Sequence, residues 1–236
     1  MIKFNDLDVT DVRIGESLVN KVAVGSEIVW QRSTSPLPSG YTQVKYLESS
    51  GKQYISTGKT IAYINSANVT FTLNFAMTDV TRTQIIFGAG SGSGNEKQLP
   101  FISSNKKFRA DYTTGYGVYY LTTPEVDVIY TFEQTATAGI LNNESKQITY
   151  RVNNDIIFTL FGKNRTAGIE IGSLARCKIF NFIVYENESL IQNFIPCLDT
   201  NNTPCFYDTV SQQTFYNQGT GTFGYETMDG TVVAPT

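Results

Sequence analysis

Histidine is absent from the 236 residues. Without imidazole the chain cannot build a Ser/His/Asp or Cys/His charge system, a His-ligated metal site or a histidine pH switch, which removes most hydrolase and metalloenzyme mechanisms. Cysteine is scarce. Cys177, Cys197 and Cys205 are odd in number and contain no C-x-x-C pair, so neither a disulfide framework nor a tetrahedral zinc site is indicated. They read as buried thiols of a protein made in a reducing cytoplasm. Charged residues make up only 17% and the formal net charge is -3, so no basic excess exists to neutralise a phosphate backbone or dock on an anionic membrane. No apolar run reaches the roughly 18 residues of a membrane helix, and the opening MIKFNDLDVTDVRIG is broken by acids instead of carrying a signal peptide's apolar core. These absences point away from nucleic acid, membrane insertion, metals and cofactors. They leave carboxylate-only chemistry or no chemistry.

What the chain does have is 19 glycines among abundant Thr, Asn, Tyr and Phe, a composition that favours strands and turns. The first 32 residues alternate short apolar runs with Gly15-Glu16-Ser17 and Gly25-Ser26-Glu27, which predicts a small module of β-hairpins. So short a module cannot bury a core of its own. Its last hairpin, with Val22, Val24, Ile28 and the single tryptophan Trp30, is therefore the candidate docking surface, against either the next domain or a partner subunit. Residues 33–39, with Pro36 and Pro38, read as a short, stiff linker. Beyond it, strands are predicted at roughly 8 to 12 residue spacing as in a sandwich or barrel. Val69 to Ala76 alternates strictly, whereas Lys178 to Tyr185 is apolar on both faces near its end and reads as a central strand covered on both sides. Asn153-Asn154 predicts a hairpin turn and Thr137 to Ser145 a longer reversal. The glycine-rich run Phe87 to Asn95 lacks the G-K-[ST] ending of a phosphate loop and reads as a flexible loop. Residues 40–226 are assigned to the sandwich and 227–236 to a C-terminal tail.

Three ordered segments between residues 37 and 224 carry a family resemblance. The run from Leu37-Pro38-Ser39-Gly40-Tyr41 through Tyr46-Leu47-Glu48-Ser49-Ser50-Gly51-Lys52-Gln53-Tyr54-Ile55 to Gly58 resembles the LP-x-GY-x-x-x-x-YLESTGTQYIDTG start of concanavalin A-like (laminin-G-like) domains of phages and prophages of gut bacteria. Lys178 to Asn187 with Leu190 to Cys197 resembles that family's KIY…IY…LVRDFIPC strand pair. Phe206-Tyr207-Asp208-Thr209-Val210 with Phe215 to Phe223 resembles its LYDTVN…FYTNAGTGTF closure. The N-terminal module is similar, over a shorter stretch, to KVYVGDTLVW units of phage structural proteins. The resemblance implies an all-β fold, a two-sheet antiparallel jelly-roll sandwich preceded by the hairpin module. The motifs also have a ligand-free physical reading: Asp208 capping backbone amides in a turn, and Gly219-Thr220-Gly221 reversing the chain before Phe223 re-enters the core.

Fold membership does not assign chemistry, because such sandwiches serve as lectins, hydrolases and spacers. Hydrolases of this scaffold resemble one another in an E-x-D-x-E strand. Here Glu125-Val126-Asp127 has no third acid, Glu170 stands alone between glycines, and Glu186 and Glu188 lie in a turn. Sugar binding needs an aromatic platform and polar partners. The best local candidate is Tyr112 to Tyr120, with Tyr112, Tyr116 and Tyr119 as carbohydrate-binding residues and Arg109 and Asp111 beside them. The competing reading has half of these tyrosines in the core. A calcium ion is known in relatives, but only Asp199 with Asn201 and Asn202 offers a weak substitute for a D-x-D loop.

The expectation is thus a non-enzymatic phage virion surface protein, made in the bacterial host cytoplasm. Its N-terminal module docks on capsid or tail proteins, and its lectin-like sandwich projects outward for weak multivalent binding of bacterial or mucin glycans. Short length, a short linker and no long fibrous region favour a capsid decoration or head fibre over a tail fibre. A homo-oligomer is left open. The alternatives are a glycan-cleaving enzyme of the same fold and a ligand-free cement or spacer protein.

Overall fold

The computed structural model describes residues 3–4, 7–8, 12–14, 17–19, 21–24, 27–31, 36–64, 66, 68–90, 96–112, 117–148, 155–165, 168–169 and 173–236. The chain divides into two compact units, Met1–Ser39 and Gly40–Thr236.

In the first unit three hairpins follow one another: Lys3–Phe4 with Leu7–Asp8, Val12–Ile14 with Ser17–Val19, and Lys21–Val24 with Glu27–Gln31. Ile14 pairs Ser17 and Val24 pairs Glu27; Gly15, Glu16, Gly25 and Ser26 lie outside the described residues. In the last hairpin Val22 lies opposite Trp30 and Ala23 opposite Ile28, with a bulge between the two pairs.

The second unit is all-β apart from one four-residue helix, Ile61–Ile64, among the described residues. Its smaller sheet runs in the order Gly117–Tyr119, Phe108–Asp111, Glu96–Ile102, Phe87–Gly90, Ile157–Leu160, Ile55–Thr60. The larger runs Glu144–Gln147, Ala138–Leu141, Ile129–Gln134, Val69–Met77, Arg176–Glu186, Ser189–Leu198, Thr42–Ser50, Gly224–Thr227, Val232–Val233, with Pro204–Asp208 and Gln213–Tyr216 branching from Ser189–Leu198. Nearly all of this pairing is antiparallel.

Rings from both sheets meet in one core. Phe87 and Phe158 of the smaller sheet stack at 4.4 Å between centroids, and Phe87 lies 5.2 Å from Phe71 and 5.1 Å from Phe182 of the larger. Phe108 reaches Phe75 at 5.8 Å and Tyr130 at 4.8 Å. Each such ring contributes about 1.5–3 kcal/mol by burial, with edge-to-face contacts adding to it. Val69, Phe71, Leu73 and Phe75 are all buried while Thr70, Thr72 and Asn74 are not, the alternation read from the sequence.

Four readings of the sequence change. Arg176–Glu186 is central, pairing Val69–Met77 on one side and Thr42–Ser50 and Ser189–Leu198 on the other. Only one of its faces enters the core: Cys177, Ile179, Phe182 and Val184 are buried, Lys178, Phe180 and Ile183 half-buried, and Tyr185 exposed. The register shift between Ile179 and Asn181 moves the buried set by one residue, which made a one-sided strand look apolar on both faces. Phe87–Gly90, expected to begin a flexible loop, is a fully buried strand. Thr137 to Ser145 is no long reversal. Ala138–Leu141 and Glu144–Gln147 form a tight hairpin, with Asn142 at φ 52° supplying the left-handed turn residue. Finally, the presumed tail pairs through Val232–Val233 with Gly224–Thr227, and Thr236 hydrogen-bonds Thr222. The Asn153-Asn154 turn, Ser91 to Asn95 and Glu170 lie outside the described residues.

Candidate functional site

Phe108–Asp111 and Gly117–Tyr119 form the edge hairpin of the smaller sheet, with Arg109 opposite Tyr119 and Asp111 opposite Gly117. Strand alternation sends Phe108 and Ala110 into the core, leaving Arg109, Asp111, Gly117 and Tyr119 on the other face. There Arg109 Nε lies 2.6 Å from Asp111 Oδ1. The guanidinium sits 5.1 Å from the Tyr119 ring centroid, and Nη1 donates to the Tyr119 hydroxyl at 3.3 Å. Tyr119 is 43% exposed. An acid fixes a base and the base fixes a half-exposed ring. Such an arrangement presents an aromatic face at a set angle, with N–H donors at its border.

Gly117 makes room for it. A Cβ built there would fall 1.8 Å from Asp111 Oδ1 and 2.3 Å from Arg109 Nε, so the ion pair lies flat on the glycine backbone. Nothing in the sequence pattern singled this glycine out. Leu121, two residues past Tyr119, was also missed and is 84% exposed. Glu144 Oε2 accepts the N–H groups of Leu121 at 2.7 Å and Thr122 at 3.2 Å, holding this stretch in place. Burial raises the Glu144 pKa, but Lys146 and those N–H groups outweigh it and leave the carboxyl below the ordinary range.

Of the five predicted carbohydrate contacts, Arg109, Asp111 and Tyr119 come together, and Tyr116 lies outside the described residues. Tyr112 does not join them: it is buried in the core, 2% exposed. The reason is parity, because Tyr112 follows Phe108 and Ala110 on the inward face. Its hydroxyl meets that of Tyr120 beside Gly139, and burial, reinforced by Tyr120, raises its pKa far above the usual phenol value. Tyr120, also buried, is pushed up to about 12, chiefly by burial. A Cβ on Gly139 would fall 1.8 Å from the Tyr112 hydroxyl. Gly139→Ala is therefore expected to cost about 1–3 kcal/mol in urea unfolding. Tyr112→Phe in the same chain should recover part of that loss; equal stability of the single and double variants would show that the hydroxyl is not the obstacle.

The weak calcium candidate is consumed by its own turn. Asp199 Oδ1 accepts the N–H groups of Asn201 and Thr203, each at 2.8 Å, and Oδ2 accepts the Tyr216 hydroxyl at 3.0 Å. The Thr203 N–H leads the contacts that hold this carboxyl below its usual pKa. Among the described residues no group of three or more His, Cys, Asp or Glu side chains is placed to hold a metal ion, and no helix is long and apolar enough to cross a membrane. Of the acids weighed for catalysis, Asp127 pairs with Lys178 at 2.7 Å and Glu186 accepts the Tyr63 hydroxyl at 3.0 Å. Asn187 and Glu188 take positive φ in the turn of their hairpin. The candidate docking residues Val22, Val24, Ile28 and Trp30 are placed only by backbone register, as given above.

The chain matches no protein-family model and no curated protein.

Proposed function

We propose that this chain is a bacteriophage virion surface protein whose first unit docks on the particle and whose second unit, a concanavalin A-like jelly-roll sandwich, presents a shallow glycan-binding platform. The observation that carries the binding reading is the Tyr119 ring, half exposed and braced by the Arg109–Asp111 pair over Gly117. A braced ring suits the C–H face of a pyranose, and the guanidinium and phenol beside it suit sugar hydroxyls. Supporting the particle role are the three phage-domain motifs between residues 37 and 224 and the division of the chain after Ser39. A platform this open binds weakly in one copy and gains from repetition on a particle.

The test is retention of the protein, displayed in many copies on beads, by bacterial capsule and mucin glycans. Tyr119→Ala is expected to lower the apparent affinity roughly tenfold, the equivalent of about 1–1.5 kcal/mol of ring contact, without lowering the melting temperature. No retention of the parent protein, or equal retention of the variant, removes the binding reading. New reducing ends in the incubated glycan would replace it with hydrolysis. Deleting residues 1–32 is expected to abolish incorporation into particles while the second unit still folds; incorporation of the truncated chain would overturn the docking role.

A further inference from the structure

Cys197 and Cys205 stand directly opposite each other on the antiparallel strands Ser189–Leu198 and Pro204–Asp208. Their sulfurs are 3.6 Å apart, and both residues are fully buried. We propose that this pair is a vicinal dithiol site that closes to an intramolecular disulfide when the folded protein meets a small-molecule disulfide.

Geometry carries the proposal. Facing residues of an antiparallel pair have Cα atoms about 4.5–5.5 Å apart, within the roughly 4.4–6.8 Å that disulfides span. The sulfurs must approach by about 1.5 Å to reach the bonded distance near 2.05 Å, a movement that side-chain rotation supplies without shifting the strands. The third thiol, Cys177, is on Arg176–Glu186 and pairs Ser49 and Met77 instead. The reaction balances as two thiol–disulfide exchanges. The thiolate of one cysteine attacks the small disulfide and expels one thiolate, giving a mixed disulfide. The second cysteine attacks the protein sulfur of that bond and expels the other thiolate. The protein loses two hydrogens and the oxidant becomes two thiols.

Closure is slow. The buried sulfurs are out of reach of the oxidant until the strands open locally, and the Cys205 thiol, hydrogen-bonded to Cys197 and buried, holds its proton well above the usual range. Once closed, the bond ties the two strands across the turn built on Asp199, whose amide contacts already fix that loop.

The experiment uses the full chain, reduced and then incubated natively with oxidised glutathione, quenched by acid, and alkylated after denaturation. The expected product lacks two hydrogens, takes up one alkyl group, and carries the deficit in the tryptic peptide that begins at Ile179. It should melt roughly 5 °C above the reduced chain and revert with dithiothreitol. Cys177→Ser should close identically, whereas Cys205→Ser should stop at a glutathione adduct or stay reduced. Three alkylatable thiols after an incubation that oxidises the denatured chain, a stable glutathione adduct on the parent chain, or loss of two hydrogens in Cys205→Ser would each overturn the assignment. A closed form melting below the reduced one would overturn its geometric basis.

Discussion

Replacing Gln53 with alanine is expected to destabilise the protein by about 3–5 kcal/mol, the range reserved for breaking a buried hydrogen-bond network. The side chain is fully buried and both ends of its amide are occupied. Oε1 accepts from Ser50 N at 2.9 Å, Ser49 Oγ at 3.1 Å and Ser50 Oγ at 3.2 Å. Nε2 donates to the carbonyls of Thr222 at 3.0 Å and Thr236 at 2.7 Å. One amide thus joins the turn after Thr42–Ser50 to two segments about 170 residues or more along the chain. Truncation leaves two backbone oxygens and a backbone N–H without their Gln53 partner, each at a part-buried bond. Urea unfolding measures the loss, and Gln53→Glu separates its causes. The glutamate keeps the volume but turns the donating end towards two carbonyls as a second acceptor, so it should be no more stable than alanine near neutral pH. A cost below about 1 kcal/mol for alanine would mean that the network adds nothing beyond ordinary side-chain burial.

The second large effect is expected at Asp208. Its buried carboxylate accepts Asn193 N at 2.8 Å, Val210 N at 3.2 Å and Ser211 Oγ at 2.7 Å. Asp208→Ala should cost about 2–4 kcal/mol, since it removes a turn cap and strands the Asn193 amide between two paired strands. Asp208→Asn keeps one acceptor oxygen and should fall between the parent and alanine. Asparagine as damaging as alanine would show that charge matters here and acceptor geometry does not.

Gln53 and Asp208 both belong to the segments that carry the family resemblance, and the structure gives each a structural task. The capping role of Asp208 was legible because an Asp followed by Thr-Val between apolar strands has few other uses. The reversal at Gly219-Thr220-Gly221 was legible too: Gly221 takes φ 70°, and Phe223 beyond it is buried. Gln53 was not legible. Ser49 and Ser50 are local partners, but Thr222 and Thr236, which tie it to the rest of the fold, come from the far end of the chain.

The candidate site divides along the same line. Arg109, Asp111 and Tyr119 could be nominated from composition, but Tyr112 was nominated with them and lies in the core. Alternation decides which side a tyrosine takes only once the strand's phase is known, and Phe108 fixes that phase by packing on Phe75 and Tyr130 of the other sheet. The register shift in Arg176–Glu186 misled in the same way, because a single bulge exchanges the faces of every residue after it.

By itself, then, the sequence determined the class of structure and its exclusions. Alternating apolar residues and glycine turns require sheets, and a chain without histidine has no imidazole chemistry, whatever its fold. Only the tertiary structure decided which side chains meet: Arg109 with Asp111 over Gly117, Gln53 with Thr222 and Thr236, Cys197 with Cys205. Period-two patterning specifies that a strand has two faces, but strand partners and register depend on packing between distant segments, and no local run of residues encodes that packing.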